Sequence, residues 1–530
     1  MNISEEPGGD YRVSQQLVSS LQRSEAFPHP VQEIRVLETH ISWVILTGLY
    51  AYKIKKPVDL GFLDFSTVEL RKHFCEEELR LNRRFTPDLY IDVVPIGGTL
   101  PQAHVGEEPA LDWAVRMHQF PPEACLDAEL AQGRAGSADL RQLAEVVARA
   151  HGDAPVISDQ YSDALDNIRV SALENFASLQ ANCDAPLLQA QLASLRAWTE
   201  LACQRLAPVF AERARDSFMR ECHGDLHTGN IVRLEPGLVP FDCIEFSTTL
   251  RCIDVISDAA FLYMDLVYRR HPHLAAVFLN RYLECNGDYA GLAVLPFYLI
   301  YRATVRAKVA AVRYQQHGAP ADLASVTEHL ALAARIAEPH DQPLLLICHG
   351  LSGSGKTWLS EQLIPAIPAI RLRSDIVRKQ MAGLDESSRS ESAIGEGLYT
   401  TAKTAGTYAQ LAEFASPALS AGLNVIIDAT CLRRADRDAF LTAARGAKAG
   451  AVILNCQAPP AELELRIRHR HQEGKDASEA DLDVLAYQLA NVETLDAEEL
   501  TRCITVDTTQ NPDIAAIAAE ILTGANIVKG

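Results

Sequence analysis

Two clusters of residues in this chain have the types and spacing to move phosphoryl groups. In "CHGLSGSGKTWL", Gly350 is followed after four residues by Gly355-Lys356-Thr357, with Ser352, Gly353 and Ser354 between them. Glycines let successive N–H groups turn into one concavity that accepts phosphate oxygens. A helix start behind such a loop adds the positive end of its dipole. Lys356 then serves as a point charge for the outer phosphates, and Thr357 offers a hydroxyl to Mg2+. The second cluster, "CHGDLHTGNIVRLEPGLVPFDCIEF", brings His223, Asp225, Asn230 and Asp242 together in an order that suits Mg2+-assisted phosphoryl transfer. Asp225 can accept a substrate hydroxyl proton, while Asn230 and Asp242 hold Mg2+ against the nucleotide. His223 reads as a prop of the loop. His151-Gly152-Asp153 repeats the tripeptide without the later Asn and reads as a helix end.

Further groups cluster around the glycine loop. Asp375 in "RLRSDIVRKQ" follows a short strand, beside Arg373 and Arg378, and can take the proton of an acceptor hydroxyl. Asp428 ends the strand "NVIIDAT", where it can complete a Mg2+ shell. Arg466 and Arg470 stand at i, i+4 on a helix and can close over a transferring phosphoryl group.

This C-terminal set resembles the small-molecule and polynucleotide P-loop kinases, including the zeta-toxin-like group, from about Pro343 onward. The His223–Asp242 set resembles the aminoglycoside phosphotransferase and choline-kinase-like branch of the protein-kinase fold, over about residues 30–335. Here Phe241-Asp242-Cys243 stands where that branch has an "IDF"-like segment, and "THIS" (Thr39–Ser42) replaces a glycine-rich loop. That second resemblance implies a strand lysine paired with a helix glutamate. "AYKIKKPV" supplies Lys53 and Lys55 on one strand face, with Lys53 favoured. Glu76, Glu77 and Glu78 are the candidate partners; Glu77 is favoured because it lies three after Phe74 and four before Leu81.

The elements that must carry these residues follow from periodicity. "IRVLETHISWVILTG", "YAYKIKKPV" and "LDWAVRMHQF" alternate as strands. "STVELRKHFCEEELRLNRRF" has helical spacing, with Leu70, Phe74, Leu81 and Phe85 on one face and Ser66 or Thr67 as its cap. From about Asp139 to Ala337 the pattern is mostly helical. Beyond "AEPHDQP", apolar strands alternate with helices, the pattern of a parallel α/β sheet. The expected fold is an α+β, two-lobed, protein-kinase-like domain followed by an α/β P-loop domain with a parallel sheet. The expected division is an N-terminal extension (1–30), a phosphotransferase-like domain (31–340, small lobe to about 120), and a P-loop kinase domain (341–530).

Composition narrows the class. The chain has 530 residues, too many for one ordinary core, with 48% hydrophobic and 22% charged residues, as in folded proteins. Lys plus Arg number 49 against 69 acids, a net −20, so a general nucleic-acid coat is excluded. Its twelve cysteines show no C-x-x-C pair and read as reduced, buried thiols. The polar, acidic start "MNISEEPGGD" and the short apolar runs lead us to expect a cytoplasmic protein without a membrane span. Arg302, Arg306 and Arg313 form one helix stripe, read as an acid-paired face in preference to an anion clamp.

The leading expectation is a tandem kinase. ATP and Mg2+ are its cofactors, small-molecule hydroxyls (sugars among them) its acceptors, and neither nucleic acid nor membrane a partner. The alternatives are one active P-loop kinase with a regulatory phosphotransferase-like domain, a nucleic-acid 5′-hydroxyl kinase, and a nucleotide-gated switch.

Overall fold

The computed structural model describes residues 9–61, 63–157, 161–182, 186–235, 237–338, 342–384, 400–473 and 480–527. Two compact units emerge: Met1–Tyr161 with Ala214–Leu262, and Ser162–Arg213 with Tyr263–Gly530. The expected boundary at Asp341 lies outside the described residues.

In the first unit, six strands form an antiparallel sheet: β1 (Arg35–Glu38), β2 (Ser42–Leu46), β3 (Tyr50–Lys55), β4 (Tyr90–Thr99), β5 (Gln102–Val105) and β6 (Ala110–His118). Their order is β1-β2-β3-β6-β4-β5. Alternation decides the faces. Trp43, Ile45, Tyr52, Ile54 and Ile96 pack on one side against Leu17, Val18 and Leu21 of the helix Gly9–Ser20. Ala51, Val115 and Met117 point the other way, toward Cys75 of the helix Val68–Asn82. Lys53 and Lys55 share this second face by period. Thr67 caps that helix, accepting the Leu70 N–H at 3.2 Å.

The helix's buried stripe differs from the expected one. It runs Arg71, Cys75, Glu78, Leu81 and Asn82, whereas Leu70 and Phe74 are only half-buried. Arg71 and Glu78 line the inward face because they have charged partners there, and Asn82 because its amide bonds the Cys243 N–H and the Glu78 carbonyl.

Two short antiparallel pairs follow, β7 (Met219–Glu221) with β10 (Cys252–Asp254) and β8 (Ile231–Arg233) with β9 (Leu238–Pro240). β9 ends before Asp242, so the aspartate sits in the loop that follows it. Asp242 has φ +64°, a left-handed conformation rare for non-glycine residues.

The second unit holds helices including Pro272–Asn286, Leu295–His317 and Pro320–Ala337, and a five-stranded sheet. Its strands are β11 (Leu344–His349), β12 (Ala369–Arg373), β13 (Asn424–Asp428), β14 (Gly450–Gln457) and β15 (Cys503–Asp507), all parallel, in the order β12-β13-β11-β14-β15. β11, at the centre, is buried along its whole length, as a strand covered on both faces must be. The expected succession of an antiparallel-sheet lobe and a parallel α/β sheet is therefore observed. Among the described residues no helix is long and apolar enough to cross a membrane. Arg313 pairs with Asp322 at 3.2 Å, the acid pairing expected of that arginine.

Candidate active sites

In the first unit the loop after β7 is fixed from beneath. Asp258 accepts the backbone N–H groups of His223 (2.9 Å) and Gly224 (3.0 Å), and His151 Nε2 lies 3.1 Å from the same carboxylate. Gly224 has φ +87°, and a Cβ there would stand 2.9 Å from the Leu250 carbonyl, so only glycine fits the turn. His223 is fully buried, bonded through Nε2 to the Phe241 carbonyl at 2.8 Å. Burial pushes its pKa below the ordinary histidine value, so it stays neutral and braces the loop.

The groups with chemistry are more open. Asp225 and Asp242 keep side-chain exposures of 36% and 42%, enough to meet a dissolved substrate. Asn230 Nδ2 donates to the Asp225 carbonyl and to its Oδ2, both at 3.0 Å. The Asp242 N–H is held by the Tyr90 hydroxyl at 3.2 Å, and Cys243 N–H by Asn82 Oδ1 at 3.0 Å.

Lys53 pairs with Glu78 Oε1 at 2.8 Å and with Asp242. Lys55 pairs with Glu78 Oε2 at 2.8 Å and with Glu245. Burial works against the Lys53 charge, but Asp242, Glu78 and Glu245 together drive its pKa well above the ordinary lysine value. The expected partner Glu77 is thereby corrected: it pairs with Arg80 (2.8 Å) and Arg251 (3.3 Å) instead. Residues 71, 75, 78 and 82 turn inward, and Glu77 is rotated one position off that stripe.

In the second unit the glycine loop joins β11 to the helix Lys356–Leu363. Gly350 (φ +143°) leaves no room for a Cβ, which would meet the Cys456 carbonyl at 2.5 Å; Gly353 and Gly355 are both at φ +82°. Lys356 is buried, its Nζ donating to the Leu351 carbonyl at 2.7 Å. Burial lowers its pKa from the ordinary lysine value. Thr357 Oγ1 donates to Asp428 Oδ1 at 3.1 Å and Ser360 Oγ to Asp428 Oδ2 at 3.2 Å. A nearly buried carboxylate beside a hydroxyl is a hard-oxygen donor set of the kind Mg2+ takes.

A cavity of about 520 Å³ opens over this loop. Ser352, Gly353, Gly355, Lys356, Thr357, Asp375, Asp428, Arg466 and Arg470, all singled out from sequence, line it together. Asp375 sits in the first turn of the helix Ser374–Met381, paired with Arg378 at 2.9 Å. Arg466 reaches the Gly353 carbonyl at 3.2 Å and the Thr508 carbonyl at 2.7 Å, so it touches the loop itself. Arg470 Nη2 donates to the Ala480 carbonyl at 2.7 Å. Two residues here gave no sequence signal. Gln488 Oε1 accepts the Ser352 N–H at 2.8 Å, and Thr508 Oγ1 donates to the Ser354 carbonyl at 2.9 Å.

The sequence of residues 345–495 matches the family model described as "AAA domain". The uncharacterized protein Rv2004c of Mycobacterium tuberculosis is 31% identical over 412 residues, covering 76% of this chain and 80% of its own length. Uncharacterized protein Mb2027c of Mycobacterium bovis matches to the same extent. Among solved structures, a gluconokinase from Sinorhizobium meliloti 1021 is similar at 22% identity, over 36% of this chain and 95% of its own, with a TM-score of 0.25. A choline/ethanolamine kinase family protein from Mesorhizobium loti is similar at 11% identity, over 62% and 95%, with a TM-score of 0.37.

Proposed function

The chain belongs to one family with the mycobacterial protein Rv2004c, and as a reading of that family's chemistry we propose a tandem ATP-dependent phosphotransferase acting on small-molecule hydroxyls, sugars among them. One observation carries it: each unit, by itself, gathers a largely buried lysine, oxygen donors suited to Mg2+ and a solvent-reachable carboxylate.

In the first unit, Lys53, oriented by Glu78, aligns the phosphate tail, and Asn230 and Asp242 hold the metal. Asp225 takes the hydroxyl proton, with His223 and Asp258 keeping its loop in place. In the second, the amides of Gly350–Thr357 and Lys356 cradle the phosphates, and Thr357 and Asp428 hold the metal. Asp375 takes the proton, while Arg466 and Arg470 stabilise the charge that develops on the transferring group. Mg2+, when bound, neutralises the phosphate tail and fixes its geometry. The free, mostly buried thiols among the described residues support a reducing compartment such as the cytoplasm.

The test uses full-length protein with labelled ATP and a metabolite extract. Asp225→Asn and Lys356→Ala are each expected to abolish transfer to a different acceptor, by at least about 10²-fold. Transfer untouched by Asp225→Asn reduces the first unit to a binding or regulatory module. Transfer untouched by both variants ends the proposal.

A further inference from the structure

The helix Pro272–Asn286 belongs by sequence pattern to the helical stretch well before the glycine loop, yet two of its buried polar side chains, Asn280 and Glu284, are spent on β12. Asn280 Nδ2 donates to the Ala369 carbonyl at 2.7 Å, and its Oδ1 accepts the Arg371 N–H at 2.6 Å. The side-chain amide thus takes the place of a neighbouring strand along the edge of the parallel sheet. One turn on, Glu284, 5% exposed, pairs with Arg371 Nη2 at 2.8 Å and lies 4.0 Å from Arg373 Nη1. Arg373 Nε in turn lies 3.8 Å from Asp428 Oδ2. The Arg373 guanidinium, its side chain 12% exposed, therefore stands within 4.0 Å of two carboxylates: Glu284, and the Asp428 that Thr357 and Ser360 hold beside the loop.

We propose that Glu284 is a positioning residue for the P-loop site. By sharing the charge of Arg373, it keeps Asp428 open to a divalent cation. This rests on the reading of Asp428 and Thr357 as the Mg2+ ligands of that site. Arg373 is a competitor for the Asp428 oxygens, because an arginine–carboxylate pair in a buried setting is strong and directional. With Glu284 in place the guanidinium is balanced at about equal distance from both acids. Without the Glu284 charge the pull of Asp428 on the guanidinium is less opposed, and the cation meets a stronger competitor there. Burial presses the Glu284 carboxyl upward in pKa, but Arg371 and Arg373 outweigh it and hold it below the ordinary glutamate value, so the balancing charge is present at neutral pH.

The experiment is Mn2+ binding by the full-length protein with a non-hydrolysable ATP analogue, followed by electron paramagnetic resonance. The P-loop share of the signal is defined as the part lost in Lys356→Ala. Glu284→Gln, nearly isosteric, is expected to weaken that share about tenfold or more. Glu284→Asp is expected to retain most of it. The double variant Glu284→Gln/Arg373→Gln is expected to recover it, since the competitor is gone; a purely structural role for Glu284 gives no such recovery. Melting temperatures establish that each variant is folded. Unchanged Mn2+ affinity in folded Glu284→Gln, or a loss that the double variant fails to reverse, overturns the proposal. If Lys356→Ala removes no Mn2+ signal at all, the nucleotide reading of the loop fails first and this proposal falls with it.

Discussion

Glu78 is held by two lysines at once, one on each oxygen, and that arrangement sets what a substitution there costs. Lys55 is wholly buried, paired with Glu78 and Glu245, with its ammonium 4.9 Å from the centre of the Phe65 ring. Glu245 is buried as well; burial raises its pKa despite the opposing pull of Lys55. Lys55→Met therefore strands a buried carboxylate, and we expect a loss of about 3–5 kcal/mol in urea unfolding. Lys55→Met/Glu245→Gln should recover at least about half of that, because the uncompensated charge is gone. If the double variant is as unstable as the single one, the lysine acts through packing and not through charge. At this scale the sequence was informative where residue types are rare and spacing is local. Gly350, Gly355, Lys356 and Thr357 lie within eight residues, and the lining of one cavity by the last three follows from the loop itself. Glu78 was harder, because three consecutive glutamates look alike until the inward stripe is known, and that stripe is polar.

Elements bring in what local spacing does not encode. The loop at Asp225 is held by Asp258, on the helix Val255–Tyr268, and by His151, at the end of the helix Ser137–Asp153. From sequence His151 was only a helix terminus; its partner is 107 residues away. Helix packing also sets an acid limit. His329, on the helix Pro320–Ala337, stacks on Tyr268 with ring centres 3.8 Å apart, and its Nδ1 lies 2.8 Å from the Ser325 carbonyl. Burial lowers its pKa from 6.5 to about 4. The unfolded chain then binds a proton between those values that the folded chain refuses. This contribution is level above pH 6.5, and stability falls as pH drops from 6.5 toward 4, by roughly 3 kcal/mol at most. His329→Gln keeps a hydrogen-bonding side chain without the titration. Urea midpoints measured from pH 7.5 to 4.5 should fall less steeply in that variant than in the parent; parallel slopes would remove His329 from the account.

For the molecule as a whole, the pattern shift near Asp341 marks where the sequence changes character, but the contacts of β12 are made with residues far upstream. Asn280 and Glu284 meet Ala369, Arg371 and Arg373 across about ninety residues of chain, and no local pattern announces such pairings. The same region adds a bond from Gln380 Nε2 to the Glu284 carbonyl at 3.0 Å and a contact between Tyr289 and Phe414 with ring centres 5.1 Å apart. A fragment of residues 342–530 loses all of these. It keeps the glycine loop but leaves Arg371 with only Glu361, at 3.9 Å, as a carboxylate partner, and β12 with an uncovered edge. Each lost hydrogen bond is worth about 1 kcal/mol and each apolar side chain uncovered about 1.5–3 kcal/mol, and for a fragment of this size 1 kcal/mol is worth roughly 2–4 °C. We therefore expect the 342–530 fragment to melt at least about 10 °C below one that begins at residue 263, when both are followed by circular dichroism. The shorter one should also associate through its open strand edge, visible as a higher sedimentation coefficient. Equal melting temperatures would mean that the upstream helices only lie against the sheet, and that the P-loop half is stable without the residues that cover β12.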